Sequence, residues 1–150
     1  MSAGADGTSL AYLVRHAEAA AGGMDAERPL TAAGRAAFSS LVASLGDSLQ
    51  VKSVRFSPFR RARETARLLA AATGAPDAVL EDLASGHAGG RELLALLEEA
   101  GPGAALVGHN PEVAEAVALA AGRELAVPPG TVAAIDLGGP VPRLSWVRSP

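Results

Sequence analysis

The sequence predicts an α/β fold, a three-layer sandwich with helices on both faces of a mostly parallel central sheet. Short apolar segments alternate with stretches of helical periodicity along most of the 150 residues, which is typical of parallel strands joined by helical crossovers. Hydrophobic residues make up 49% of the chain, enough to fill a sizeable core and too many for a disordered protein. We therefore expect one domain at residues 9–150, preceded by a flexible N-terminus at residues 1–8.

The first strand and the first helix are indicated by an apolar run and by capping residues. Ser9–Val14 is a short apolar segment and is predicted to be a buried strand. Residues 19–30 contain two glycines and a proline, which favour a loop. Thr31 can cap a helix that ends near Leu45, where Gly46 provides the stop.

The next strand and helix follow from the same kinds of signal. Val51–Phe56 alternates apolar and polar residues, which predicts a strand with one buried face. Ser57 is predicted to be the N-cap of the following helix and Pro58 to occupy its first position, since both residue types favour those places. Gly74 is expected to end this helix.

The second half of the chain continues the alternation. Gly86–Gly90 is predicted to be a flexible loop, and Asn110 with Pro111 repeats the cap-plus-proline signal for a helix that reaches Ala121. The last two predicted strands, joined by a turn, can add an antiparallel edge to the sheet. The other predicted segments are a short strand at 78–83, a helix at 91–100, a strand at 104–107 and the closing strands at 131–137 and 143–148.

Basic side chains and histidines follow three of the predicted strands. Arg15 and His16 end the first strand, Arg60 and Arg61 lie in the first turn after the second, and His109 follows a later one. In open α/β sheets, ligands bind beyond the carboxyl ends of the strands. We therefore expect these side chains to meet at one edge of the sheet.

The grouping of arginines with histidines indicates a phosphate pocket. Arginines repel one another unless an anion lies between them, and the guanidinium fork matches phosphate oxygens. Helix N-termini at the same edge also favour an anion. A histidine such as His16 could then only donate hydrogen bonds to phosphate, or its neutral ring could attack phosphorus and form a phosphohistidine. Neither role requires a metal ion or another cofactor.

Four sequence blocks carry a family resemblance. LVRHAEA, DAERPLTAAG, SPFRRARETA and LVGHNPEV occur in this order between residues 10 and 120. They resemble the blocks of the histidine phosphatase superfamily, which is related to phosphoglycerate mutases, and in particular those of the short SixA-type phosphohistidine phosphatases. The resemblance implies a phosphoglycerate mutase-like fold.

The resemblance also implies roles for individual residues. His16 is expected to be the nucleophile that becomes phosphorylated, and Arg15 and Arg61 are expected to bind the phosphoryl group. Arg61, not Arg60, stands at the family's position within its block. His109 is expected to be the second histidine of the pocket and to donate to the transferred group. A further implication is structural: Thr31 is expected to cap a helix, and Gly34 to allow close packing.

One departure from the family concerns the proton donor to the leaving group. Many members carry a glutamate after the third strand, but in LEDLASGHAGG the corresponding position is Ser85. Glu81, Asp82 and His87 are possible substitutes, or ordinary residues of a surface loop.

An imidazole leaving group, with a pKa of about 6.5, departs with less help than an alkoxide. The missing acid therefore favours phosphohistidine over an alkyl phosphate ester, and the short loops favour an open pocket that admits a histidine carried on a protein.

Three functions follow, in order of preference. The first is a metal-independent phosphatase that removes phosphate from phosphohistidine on a protein through an intermediate on His16. The second is a small-molecule phosphomonoesterase of the same superfamily, and the third is a non-catalytic binder of phosphorylated ligands. For the first, activity is expected to fall below about pH 5 to 6, since His16 must be neutral to attack.

Composition excludes several other classes of function. The net charge of −3 does not favour nucleic-acid binding, and the lack of cysteine excludes disulfides and thiolate metal sites. No apolar run is long enough to span a membrane and no secretory signal is visible, so we expect a cytoplasmic protein. The sequence predicts no oligomeric state and no function for residues 122–150.

Overall fold

The computed structural model describes residues 9–150, in which six strands and four α-helices alternate as the sequence predicts for most of its length. Residues 1–8, expected to be flexible, lie outside the described residues. Short 3-10 turns occupy Asp25–Glu27, Gly46–Ser48 and Glu81–Leu83. The main elements, in chain order, are β1 (Leu10–Arg15), α1 (Ala32–Leu45), β2 (Ser53–Phe56), α2 (Arg60–Thr73), β3 (Asp77–Val79), α3 (Gly90–Ala100), β4 (Ala104–Gly108), α4 (Glu112–Ala121), β5 (Val132–Asp136) and β6 (Arg143–Arg148).

The strands form one mixed sheet in the order β3-β2-β4-β1-β5-β6. The pairs β3–β2, β2–β4 and β4–β1 are parallel, whereas β5 runs antiparallel to both β1 and β6. The prediction of a mostly parallel sheet with an antiparallel edge is therefore confirmed. The central pair, β1 and β4, places Arg15 beside Gly108, so the chain segments that follow both strands leave the sheet together.

Both faces of the sheet are covered by helices, as predicted. Alternate residues of β1 point to opposite sides, which is the two-residue period of a strand. Tyr12 and Val14 belong to an apolar cluster that includes Phe38 of α1, and Ala11 and Leu13 belong to a second cluster formed with α3 and α4. Within residues 9–150, no helix is both long and apolar enough to cross a bilayer.

The start of α1 positions the loop that follows β1. Thr31 accepts a hydrogen bond from the Gly34 amide at 2.8 Å, which confirms the predicted cap. A Cβ atom at Gly34 would lie 2.5 Å from the Glu18 carbonyl oxygen, so only glycine permits this close approach. The segment just after His16 is thereby packed directly against the helix.

Three predicted elements differ from the structure. The prediction that Asn110 caps α4 with Pro111 in its first position is wrong, since the N-cap is Pro111 and the helix begins at Glu112. The predicted strand at 78–83 is shorter, because β3 ends at Val79 and the chain then turns into the 3-10 helix Glu81–Leu83. The prediction that Ser57 caps α2 with Pro58 in its first turn is wrong, since the N-cap is Phe59 and the helix begins at Arg60. Ser57 instead accepts a hydrogen bond from the Phe59 amide at 3.1 Å, which forms a local turn before the helix.

Candidate active site

The carboxyl ends of β1, β2 and β4 meet at one edge of the sheet and bring two histidines together. The His16 amide donates to the Gly108 carbonyl at 3.0 Å, and the Ser57 amide donates to the Val107 carbonyl at 3.1 Å. These backbone bonds extend the sheet by one residue on each strand. As a result, the His16 and His109 rings lie 5.2 Å apart between centroids.

The orientation of His16 is fixed by its own chain. Its Nδ1 lies 2.7 Å from the Ala17 carbonyl oxygen. A carbonyl oxygen can only accept, so Nδ1 carries the proton in this contact. In the neutral ring, Nε2 then holds a lone pair. The residue is 8% exposed, so the ring is largely buried.

Thr65 of α2 holds the backbone that follows His16. Its fully buried hydroxyl accepts from the Ala17 amide at 2.9 Å and donates to the Arg61 carbonyl at 2.8 Å. One side chain therefore ties the segment after the histidine to the helix that carries the arginine. The sequence analysis missed this role, although the threonine falls within the block SPFRRARETA.

The two arginines at the start of α2 have different surroundings. Arg60 is partly exposed and pairs with Glu64 at 2.8 Å on the helix surface. Arg61 is buried, and its Nη1 and Nη2 donate to the Asp25 carbonyl and carboxylate at 2.7 and 3.4 Å. Its guanidinium carbon lies 5.0 Å from the centroid of the Phe59 ring. Arg61 is therefore the buried arginine of the two, and its role in binding the phosphoryl group stays a prediction.

Arg15 is anchored by a segment for which the sequence analysis predicts no function. Its Nη1 donates to the Val127 carbonyl at 2.9 Å, and the Asn110 side-chain amide donates to the same oxygen at 3.0 Å. The Asn110 Oδ1 also accepts from the Ala114 amide at 3.1 Å, in the first turn of α4. Residues 122–131 therefore contribute a backbone acceptor that orients the site.

His109 is held through Nε2, whereas His16 is held through Nδ1. Its Nε2 lies 2.7 Å from the Ser57 hydroxyl oxygen, and its ring contacts the edge of Phe59 with centroids 5.1 Å apart. The residue is 2% exposed. Nδ1 is left as the nitrogen available to a ligand.

Three buried nitrogens of the pocket have no acceptor among residues 9–150. They are Arg15 Nε, Arg61 Nε and His109 Nδ1. Buried polar groups are nearly always hydrogen-bonded, so such atoms in one site indicate a ligand with several acceptors. An oxyanion such as a phosphoryl group fits these donors. In the same part of the chain, no three His, Cys, Asp or Glu side chains are grouped as a metal site requires.

Both histidines are held in the neutral form at neutral pH. The pKa of His16 is lowered to about 4, first by burial and then by the charges of Arg61 and Arg15, with the hydrogen bond to Ala17 acting in the opposite direction. Burial also lowers the pKa of His109 to about 3, with contributions from His16 and Arg61. A neutral His16 retains the lone pair that a nucleophile needs.

The three candidate proton donors lie on the surface. Glu81, Asp82 and His87 are all exposed, and none of their side chains makes a hydrogen bond or an ion pair among the described residues. Of these three residues, Asp82 is the one that lines a cavity of about 10 Å³ shared with His109. The structure therefore does not gather these three residues around His16, and a role for any of them stays a prediction.

Glu112 is a buried carboxylate that the sequence analysis missed. It lies in the first turn of α4, is 7% exposed, and lines the same small cavity as His109. Its Oε2 accepts a hydrogen bond from the Gly86 amide, and its Oε1 has no partner among residues 9–150. Glu115, one turn further on, accepts from the Gly90 amide at 3.0 Å. The two carboxylates thereby attach the 84–90 loop to α4.

Comparison with known families found a match to most of the chain. Residues 11–110 match the family described as the histidine phosphatase superfamily (branch 1). The chain belongs to the histidine phosphatase superfamily. Its membership confirms the predicted class of enzyme, a phosphatase. A search of curated proteins found no match.

Solved structures similar to this histidine phosphatase include SixA proteins. The protein histidine phosphatase SixA complexed with tungstate has a TM-score of 0.81 and 24% identity, over 94% of this chain and 97% of that one. A protein from Agrobacterium tumefaciens assigned as phosphohistidine phosphatase SixA gives the same score and identity, over 95% and 98%. An alpha-ribazole phosphatase from Shigella flexneri has a TM-score of 0.69 and 18% identity, over 93% and 96%. At these identities the likeness establishes the fold, including the predicted SixA-like architecture.

Proposed function

We propose that this histidine phosphatase removes phosphate from phosphohistidine on a protein, through a phosphohistidine intermediate on His16 and without a metal ion. The observation that carries the proposal is the hydrogen bond from His16 Nδ1 to the Ala17 carbonyl. It leaves Nε2 as the unprotonated nitrogen of a neutral ring, in a pocket with buried arginine and histidine nitrogens that have no acceptor among residues 9–150.

The first step transfers the phosphoryl group from one imidazole to another. The Nε2 lone pair of His16 attacks phosphorus and forms a P–N bond while the substrate P–N bond breaks. The substrate ring leaves as neutral imidazole when its second nitrogen already carries a proton. His16 becomes a cationic phosphohistidine, and its Nδ1 proton remains bonded to the Ala17 carbonyl.

In the second step, water attacks phosphorus and the P–N bond of His16 breaks. Both protons of the water remain on the product, which leaves as dihydrogen phosphate, and His16 returns to its neutral form. Arg15, Arg61 and His109 are placed to hold the phosphoryl oxygens in both steps, and such fixed donors stabilise charge that builds up in the transition state.

The choice of phosphohistidine depends on the leaving group. Imidazole, with a pKa of about 6.5, departs without strong acid help, whereas an alkoxide requires a proton donor. Glu81, Asp82 and His87 are exposed and have no hydrogen-bond or ion-pair partner within residues 9–150, so none is fixed as such a donor. The likeness to SixA structures supports the same substrate. An intracellular phosphotransfer protein would suit the expected cytoplasmic location.

A small-molecule phosphomonoesterase is the alternative function. The observation that favours it is the cavity of about 10 Å³ that Asp82 and Glu112 share with His109, since a carboxyl group close to the pocket could protonate an ester oxygen. The likeness to an alpha-ribazole phosphatase is in keeping with this alternative.

The test is a paired assay at neutral pH with a metal chelator present. One arm follows loss of phosphohistidine from a phosphotransfer domain, and the other follows hydrolysis of p-nitrophenyl phosphate and a set of sugar phosphates. We expect rapid loss of phosphohistidine and little ester turnover. Faster turnover of one ester would favour the alternative function, and activity only after metal addition would contradict a metal-independent reaction.

The His16→Ala variant is measured in both arms. Loss of turnover with retained binding of tungstate is expected for a nucleophile. Equal turnover in the variant and the wild type would contradict a role for His16. Tungstate binding without turnover in the wild type would favour the non-catalytic binder.

A further inference from the structure

The Ser57 hydroxyl is fully buried between two partners. Its oxygen accepts the Phe59 amide at 3.1 Å and lies 2.7 Å from His109 Nε2. The Ser57 amide donates to the Val107 carbonyl, so the residue is also fixed through its backbone. Exposure of Ser57 is 0%, so bulk water is not an alternative partner for its hydroxyl.

The direction of the bond between Ser57 and His109 follows from a count of donors and acceptors. If His109 Nε2 carried the proton and donated it, the Ser57 oxygen would accept two bonds and its own proton would need another acceptor. None is available among residues 9–150. A buried hydroxyl proton without an acceptor is costly. The opposite direction, with the hydroxyl donating to Nε2, satisfies the hydroxyl and Nε2 and leaves only the Nδ1 proton without an acceptor among residues 9–150, at the nitrogen available to a ligand.

We propose that the Ser57 hydroxyl donates to His109 Nε2 and thereby fixes the His109 proton on Nδ1, the nitrogen left for the phosphoryl group. Ser57 is then a positioning residue that acts through His109. The consequence for catalysis rests on the proposed function, whereas the position of the proton does not. Since a neutral imidazole has one N–H group, the tautomer decides whether Nδ1 presents a donor or a lone pair to an anion.

The low pKa of His109 makes this choice of tautomer consequential. With a pKa of about 3, lowered first by burial, the ring is neutral at neutral pH and carries only one proton. A lone pair at Nδ1 would repel a phosphoryl oxygen, and a proton there would bind it. The buried hydroxyl of Ser57 therefore decides whether His109 attracts or repels a phosphoryl oxygen.

The test measures the ring ¹⁵N resonances of the histidines by NMR in the ligand-free protein at neutral pH. The chain has only three histidines, so the spectrum can be assigned with one variant for each. We expect His109 to show a protonated Nδ1 and an unprotonated Nε2 in the wild type. A protonated Nε2 would overturn the proposal without any measurement of activity.

The Ser57→Ala variant tests whether the hydroxyl is the cause. We expect its His109 proton to move to Nε2 or to exchange between both nitrogens, with tungstate affinity reduced about tenfold. Ser9→Ala is the matched control, because Ser9 is also buried and donates to Asp136 at 2.8 Å, at the start of β1. Ser9→Ala should keep the wild-type tautomer and affinity. An unchanged tautomer in Ser57→Ala would contradict the role of Ser57.

The outcome separates this proposal from the proposed function. An Nδ1-protonated His109 in a protein that hydrolyses no phosphate compound would support the role of Ser57 and contradict the phosphatase mechanism. An active phosphatase whose His109 is protonated on Nε2 would do the reverse.

Discussion

The rings of His16 and His109 lie 5.2 Å apart between centroids and are tilted by 58°. The protein contacts a different ring nitrogen in each of the two histidines. His16 uses Nδ1 to contact the Ala17 carbonyl, whereas His109 uses Nε2 to contact Ser57. Two neutral histidines, one after β1 and one after β4, therefore present different nitrogen atoms to a ligand. His16 is left with a lone pair for attack, and His109 with the nitrogen that, protonated, would donate to the group transferred.

The contrast between Arg61 and Arg60 predicts unequal effects of the same substitution. Arg61→Lys should reduce kcat/KM for phosphohistidine about 100-fold, because lysine cannot keep two donors on Asp25 and present a third to the phosphoryl group. Arg60→Lys should change it less than about threefold, since its surface ion pair with Glu64 contributes little. Steady-state kinetics on both variants measures the difference. Equal losses would contradict the assignment of Arg61.

The pKa of His16 predicts where activity declines in acid. As the pH falls, His16 gains a proton and loses its lone pair, so kcat/KM should fall on the acid side. The sequence alone predicts a decline below about pH 5 to 6. A pKa of about 4 moves the decline lower, because burial and the neighbouring arginines disfavour the charged ring. The pH profile of kcat/KM, corrected for ionisation of the substrate, measures this value. An enzyme group titrating near pH 6.5 would be inconsistent with a buried neutral His16.

Much of the fold could be predicted because its signals are local. The alternation of apolar runs with capped helices predicts a central sheet with helices on both faces. Thr31 caps α1, as its position in the sequence indicates. Ser57 shows the limit of such signals. A serine followed by proline is typical of a helix start, but here the backbone turns first and the hydroxyl reaches His109. Only the tertiary approach of β2 and β4 decides between these two uses.

Two parts of the site carry no signal in the sequence. The Val127 carbonyl orients Arg15 from 112 residues away, and a backbone oxygen is independent of the residue type that carries it. Glu112 looks like an ordinary acidic residue in the first turn of a helix, where the dipole favours it. Its burial results from the 84–90 loop, whose Gly86 amide donates to it. Neither role could be found without the packed structure.

The buried hydroxyl of Thr65 predicts a loss that a similar threonine does not show. Thr65→Val keeps the shape of the side chain but leaves the Ala17 amide without its acceptor, so we expect about 1–3 kcal/mol less stability and a lower kcat. Thr73→Val is the matched control, because Thr73 donates to the carbonyl four residues earlier in the same helix but has no second side-chain partner in the part of the chain that the structure describes. It should cost less than about 1 kcal/mol. Urea unfolding and kinetics on both variants measure this, and similar effects in the two would contradict a special role for Thr65.

The two lowered histidine pKa values also predict how stability depends on pH. In the unfolded chain a histidine gains a proton near pH 6.5, whereas the folded protein resists protonation of His16 until about pH 4 and of His109 until about pH 3. Between these values the unfolded state binds more protons, so the free energy of unfolding is highest above about pH 6.5 and falls as the pH is lowered. Each histidine should contribute a loss of about 2 kcal/mol between pH 7 and pH 5. Urea unfolding at several pH values measures the slope. His16→Gln and His109→Gln should each remove about half of it, whatever their effect on stability at pH 7, and a slope unchanged in both variants would show that the histidines titrate alike in the folded and unfolded states.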